Sequence, residues 1–179
     1  MRTLAILASV LLLNAPATAA QPGGSCTPVT AKCLASLSME PVGPEMEIAD
    51  PLYLRIVARG LAAVPELAAL LEDPTATAQP VPLFGGTWAV GDIARCALSD
   101  ILRDAPWLSF VSPGARKAGK DCGFCAYWQY VRASRRNRAT LARHFRAWYS
   151  LHRTTLTWKP SPHSLTGGSF VLPEGSPTH

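Results

Sequence analysis

The chain has 179 residues, of which 48% are hydrophobic and 16% charged, and its formal net charge is +5. That length suits a single domain, large enough to bury about 70% of the surface of the unfolded chain without disulfides being needed on grounds of size. Beyond the first twenty residues every apolar run is short and broken by charge, Pro or Gly, which excludes a further membrane-spanning helix.

Met1-Arg2, the apolar run Leu4–Leu13 and the small residues Ala17-Thr18-Ala19 have the charged start, hydrophobic stretch and cleavage site of a secretory signal, assigned here to residues 1–19. The run is too short to cross a bilayer and ends at Asn14 and Pro16. The remainder is therefore expected to be periplasmic or secreted, a compartment that oxidises thiols.

Residues 20–48 read as a flexible N-terminal segment, with Cys26 and Cys33 placed to close a local loop and a short helix over 31–39. A single helical domain is expected over 49–158. Asp50-Pro51 starts its first helix, because the Asp side chain accepts orphan N–H groups and Pro loses no needed donor at the first position. Tyr53, Ile56, Val57, Leu61 and Val64 follow at helical spacing, leaving Arg55 and Arg59 outside. A second short helix covers 66–72.

A small β-hairpin is predicted near 81–90, turning on Gly85-Gly86, which tolerate the positive φ of tight hairpins. Phe84 and Trp88 should pin it to a helix. Leu71-Glu72-Asp73-Pro74-Thr75, followed by Val81 through Ala94, resembles exported bacterial proteins built from HEAT-like helix pairs. That resemblance implies an α-helical scaffold and assigns no catalytic residue. Asp92 is expected to cap the next helix, which carries Cys96. Residues 105–120 read as a connector with Trp107, Leu108, Phe110 and Val111 available for packing. Asp121 caps a helix through Cys122, Cys125, Trp128 and Val131. The last helix starts at Arg135, with Leu141, Phe145, Trp148, Tyr149 and His152 on one face. The tail, 159–179, is rich in Pro and Gly and is expected to be disordered. The fold class is thus mainly α: a compact bundle of about five helices with one small hairpin.

Five cysteines cannot all pair within one chain. Cys122-Gly123-Phe124-Cys125 at a helix start favours a thiolate, helped by Lys117 and Lys120, which makes it a candidate redox pair. Asp121 opposes that ionisation, and the polar segment before the motif lacks the strand of a thioredoxin βαβ unit. The simpler expectation is a structural clamp joining Cys96 to Cys122 or Cys125. A zinc tetrathiolate would need a second closely spaced pair, which Cys26 and Cys33 do not make, so neither metal nor cofactor is assigned. His144 and His152 lie two turns apart, and His152 continues the apolar stripe; His163 and His179 lie in the tail.

Charge is divided along the chain. Ten acidic residues face five basic ones over 21–104, and eleven basic residues face Asp121 and Glu174 thereafter. Arg132, Arg135, Arg136, Arg138, Arg143, Arg146 and Arg153, interleaved with aromatics, form a candidate anion-binding stretch, with Arg132, Arg136, Arg143, Arg146 and Arg153 assigned to a partner. Secretion disfavours nucleic acid and favours an acidic protein, an anionic envelope component or the chain's own acidic half. With no coherent catalytic constellation, a non-enzymatic interaction domain is the leading expectation. The alternatives are a thiol-disulfide oxidoreductase using Cys122 and Cys125, and an envelope immunity or inhibitor protein.

Overall fold

The structure, a computed structural model, describes residues 26–42, 47–118, 122–162 and 164–176; the assigned signal peptide, Lys120, Asp121, His163 and His179 lie outside them. Asp50 starts a helix as its side chain predicts: Oδ1 accepts from Leu52 N at 2.7 Å and Tyr53 N at 3.0 Å, with Pro51 at the first position. This helix, α2 (Pro51–Ala58), follows α1 (Ala31–Ala35) and precedes α3 (Val64–Leu70). Four more follow: α4 (Val90–Ile101), α5 (Pro113–Ala118), α6 (Gly123–Ala133) and α7 (Arg135–His152). The chain is mainly α, and five of these seven helices have seven residues or more.

α4 is the centre of the molecule. Val90, Ile93, Ala94, Ala97, Leu98 and Ile101 are buried, and α1, α2 and α3 pack around it. α6 and α7 pack against each other and are joined by Ser134, whose hydroxyl accepts from Asn137 N at 3.1 Å and caps α7. Phe145 lies at the heart of that layer, stacked on Trp107 at 5.0 Å between ring centres.

The expected hairpin exists with shifted arms. β3 (Ala76–Pro80) pairs with β4 (Thr87–Ala89), so Val81–Phe84 belong to the connection, and Gly85 and Gly86 take φ of 70° and 76°. Phe84 meets Phe124 at 4.9 Å and Trp88 meets Trp128 at 6.4 Å, pinning the hairpin to α6. Val90 already belongs to α4, and Asp92 sits two residues inside the helix. Its Oδ2 reaches back to accept from Ala89 N at 2.9 Å. The first turn is satisfied from elsewhere in the chain, Val90 N by Thr75 O and Gly91 N by Asp73 O.

Two other ladders accompany it: β1 (Pro41–Val42) with β2 (Glu47–Ile48), and β5 (Thr157–Pro160) with β6 (Gly168–Val171). The second corrects the expectation of a disordered tail. Arg103 N donates to Phe170 O at 3.2 Å and Leu172 N to Asp104 Oδ2 at 2.9 Å, while the Leu172 side chain is buried. The expected connector over 105–120 also contains structure, a 3-10 turn at Trp107–Phe110 and then α5. Within the segment expected to be flexible, Leu34, Leu37 and Met39 are buried in the core. No described helix is long and apolar enough to cross a membrane.

Candidate functional site

Cys26 is bonded to Cys33 and Cys122 to Cys125, which leaves Cys96 as the free thiol. The expected clamp from Cys96 to the later pair is therefore not formed. Cys122 and Cys125 lie on adjacent turns with Cα atoms 5.2 Å apart, inside the range a disulfide can span, so the motif closes on itself. Cys122 is the N-cap of α6, its sulfur accepting from Cys125 N at 3.1 Å. The element before it is α5, a helix, whereas the thioredoxin arrangement delivers its CxxC from a strand.

The arginines divide into three groups. Arg138 is buried: its Nη2 donates to Asp92 Oδ1 at 2.8 Å, and Tyr127 Oη donates to the same oxygen at 2.6 Å. It is thus withdrawn from the anion-binding stretch to which the sequence assigned it. Burial first, and then the Asp92 charge, hold the Tyr127 phenol well above its ordinary value. Arg146 pairs with Glu72 on the surface and donates to Ala142 O at 3.2 Å. The Arg138–Asp92 and Arg146–Glu72 pairs tie the basic end of the chain to its acidic half.

The remaining five, Arg132, Arg135, Arg136, Arg143 and Arg153, are exposed and have no carboxylate within ion-pair distance among the described residues. At about 100° per residue, Arg135, Arg136, Arg143, Arg146 and Arg153 fall within an arc of roughly 100° on α7. The opposite stripe, Arg138, Leu141, Phe145, Trp148 and His152, is buried. No acidic residue occurs in α7. Arg132, at the end of α6, lies over the Trp128 ring at 4.8 Å from its centre. His144 is exposed, and His152 packs against Trp148 at 5.3 Å.

Along α4 lies a feature that sequence reasoning missed, a cleft of about 620 Å³ whose walls include Tyr53, Arg95, Cys96, Asp100 and Arg103. Tyr53 Oη donates to Asp100 Oδ2 at 2.5 Å. Desolvation raises the Asp100 carboxyl above its ordinary value, with the Tyr53 hydrogen bond and Arg95 opposing. Desolvation also pushes the Cys96 thiol up to about 12, although part of that residue's surface faces the cleft. The spacing Arg95, Ser99 and Arg103 would have marked one polar helix edge, but nothing local shows that residues of three distant hairpins line the same cleft. No His, Cys, Asp or Glu side chains gather in threes to hold a metal among the described residues.

Comparison with family models, with curated proteins and with solved structures finds no match to this chain.

Proposed function

We propose that this is an exported, disulfide-braced interaction domain whose working surface is the arginine face of α7, engaging an acidic protein surface. The observation that carries the reading is the arc of exposed guanidinium groups on an eighteen-residue helix that contains no carboxylate. The buried stripe behind that face fixes the helix, so the face's guanidinium groups all leave from one side of it. Planar guanidinium forks favour bidentate contact with carboxylates. Charge complementarity of this kind steers association and weakens with salt. Two disulfides fit an oxidising compartment.

The test measures binding to poly-glutamate, with phosphatidylglycerol vesicles as a second arm, for the native chain and for a variant carrying Arg136→Gln, Arg143→Gln and Arg153→Gln. The reading expects poly-glutamate binding that falls about tenfold or more in the variant and in raised salt. Binding that ignores the substitutions removes the arginine face. Binding confined to the vesicles replaces the acidic protein with an envelope lipid.

A second reading rests on the Cys122–Cys125 bond at the N-terminus of α6, which leaves Cys96 outside the exchange pair. In a thiol-disulfide oxidoreductase the Cys122 thiolate attacks a substrate disulfide, and Cys125 displaces the reduced substrate. That leaves the protein disulfide observed, with dithiothreitol as reductant in an assay. Insulin reduction that disappears with Cys122→Ser supports this reading, and turnover equal to that of dithiothreitol alone removes it.

A further inference from the structure

The cleft beside α4 is lined on its apolar side by Met39, Val81, Phe84, Trp88 and Leu165. Its volume of about 620 Å³ is in the range of small-molecule sites, which pair apolar walls with a few placed polar groups. No residue of α7 lines it, so it is separate from the arginine face.

Arg95 is the polar feature of this cleft. Its guanidinium carbon lies 4.9 Å from the centre of the Tyr127 ring, 5.3 Å from Trp107 and 5.7 Å from Phe124. The rings stabilise the cation through their faces, but they accept no directed N–H···O bond. Arg95 has no carboxylate within ion-pair distance among the described residues, and its Nε is buried without a hydrogen-bond partner. Trp88, 7% exposed and on the same cleft, has a buried Nε1 in the same condition. Leaving such donors unmatched is costly. Arg103 adds a second guanidinium, against the one carboxylate of Asp100, which already accepts from Tyr53. The wall therefore carries a positive balance next to apolar surface, with Arg95 held by rings and by no carboxylate.

We propose that this cleft binds a small amphipathic carboxylate, its head on Arg95, its apolar body along Met39, Val81, Phe84, Trp88 and Leu165. A carboxylate supplies acceptors to a guanidinium fork in the plane that the fork presents. A neutral ligand of the same body would leave the guanidinium unmatched.

Calorimetric titration with decanoate and with decanol, run on the native chain, tests this. Saturable decanoate binding with decanol weaker by about tenfold or more is expected, a factor worth about 1.4 kcal/mol. Arg95→Met should lower decanoate affinity by a similar factor and leave decanol unchanged. If that variant does not fold, the two ligands on the native chain decide alone. Alkylation of Cys96 by N-ethylmaleimide, followed by mass spectrometry, should slow as decanoate is added, because the thiol shares the cleft. Absence of saturable decanoate binding, equal affinity for decanol, or binding without protection of Cys96 overturns the proposal. The Arg136→Gln, Arg143→Gln, Arg153→Gln variant should bind decanoate as the native chain does, so failure of either reading leaves the other standing.

Discussion

Arg138 and Asp92 are joined at 2.8 Å across 46 residues of sequence, with 5% and 0% of their side chains exposed. The pair ties α7 to the centre of the fold, and Tyr127 adds α6 through a hydrogen bond to the same carboxylate oxygen. Asp92 also holds the start of α4 through Ala89 N. One carboxylate thus serves as helix cap, ion-pair partner and acceptor for a buried phenol.

Removing one side of such a buried pair leaves an uncompensated charge, which typically costs about 3–5 kcal/mol. Arg138→Met is expected to destabilise the chain by that order in urea unfolding, whereas Arg136→Gln on the exposed arc should change stability by less than about 0.5 kcal/mol. Combining Arg138→Met with Asp92→Leu should cost less than the sum of the two single changes, because each single change leaves the other residue's buried charge without its partner. A cost below about 1 kcal/mol for Arg138→Met would show that the contact does not bear on stability.

Part of this was legible in the sequence. Asp50-Pro51 opened a helix because capping needs only its own next few residues. The apolar stripe of α7 was visible from spacing, and Arg138 lies three residues before Leu141 on that stripe, a signal that an arginine there is turned inward. Its partner was not visible, because Asp92 reads locally as an N-cap. What moved it inside the helix was Thr75 and Asp73, whose carbonyls accept from Val90 and Gly91. The same limit applies to the tail, where Pro and Gly suggested disorder while pairing of 157–160 with 168–171 and contacts to Arg103 and Asp104 fold it back. Long-range partners, which no window of sequence contains, account for these corrections.

At Gly91, α4 passes close to the backbone that follows α3. A Cβ there would lie 2.5 Å from Leu71 O and 3.0 Å from Asp73 O, both backbone atoms, and 2.7 Å from Arg138 Nη1. Alanine normally stabilises a helix over glycine by roughly 0.5–1 kcal/mol. Gly91→Ala is expected to reverse that sign and cost about 2 kcal/mol or more, since carbonyls on two residues must shift. Gly114→Ala, with nothing within 4 Å of the added carbon, should instead be neutral or stabilising. Equal thermal midpoints for the two variants would refute the close approach.

Cys96 should react slowly for a free thiol. Desolvation pushes it up to about 12 from an ordinary 9.0, with Arg95 opposing and Asp100 and Asp92 adding. Three units lower the thiolate fraction about a thousandfold, and the greater nucleophilicity of the more basic thiolate recovers part of that. Alkylation by iodoacetamide at pH 8 is then expected to be roughly 50-fold slower in the folded chain than after denaturation. The linkage has one sign: the folded chain holds this proton more tightly, so the contribution to stability is complete below pH 9 and is lost as pH rises towards about 12. Cys96→Ala should flatten that part of the stability profile, and an unchanged alkaline slope would count against the desolvated thiol.

The C-terminal hairpin should contribute to global stability. Leu172 is 7% exposed, and its backbone N–H is held by Asp104. The neighbouring Phe170 forms a β-bridge with Leu102 at the end of α4. Leu172→Ala removes buried apolar atoms and leaves a cavity, a change that costs about 2 kcal/mol or more at a packed site. A disordered tail would give less than about 0.5 kcal/mol. Urea unfolding of this variant beside Pro173→Ala, whose side chain is exposed, separates the two cases: a loss confined to Leu172 places the hairpin in the cooperative unit, and two indistinguishable curves place it outside.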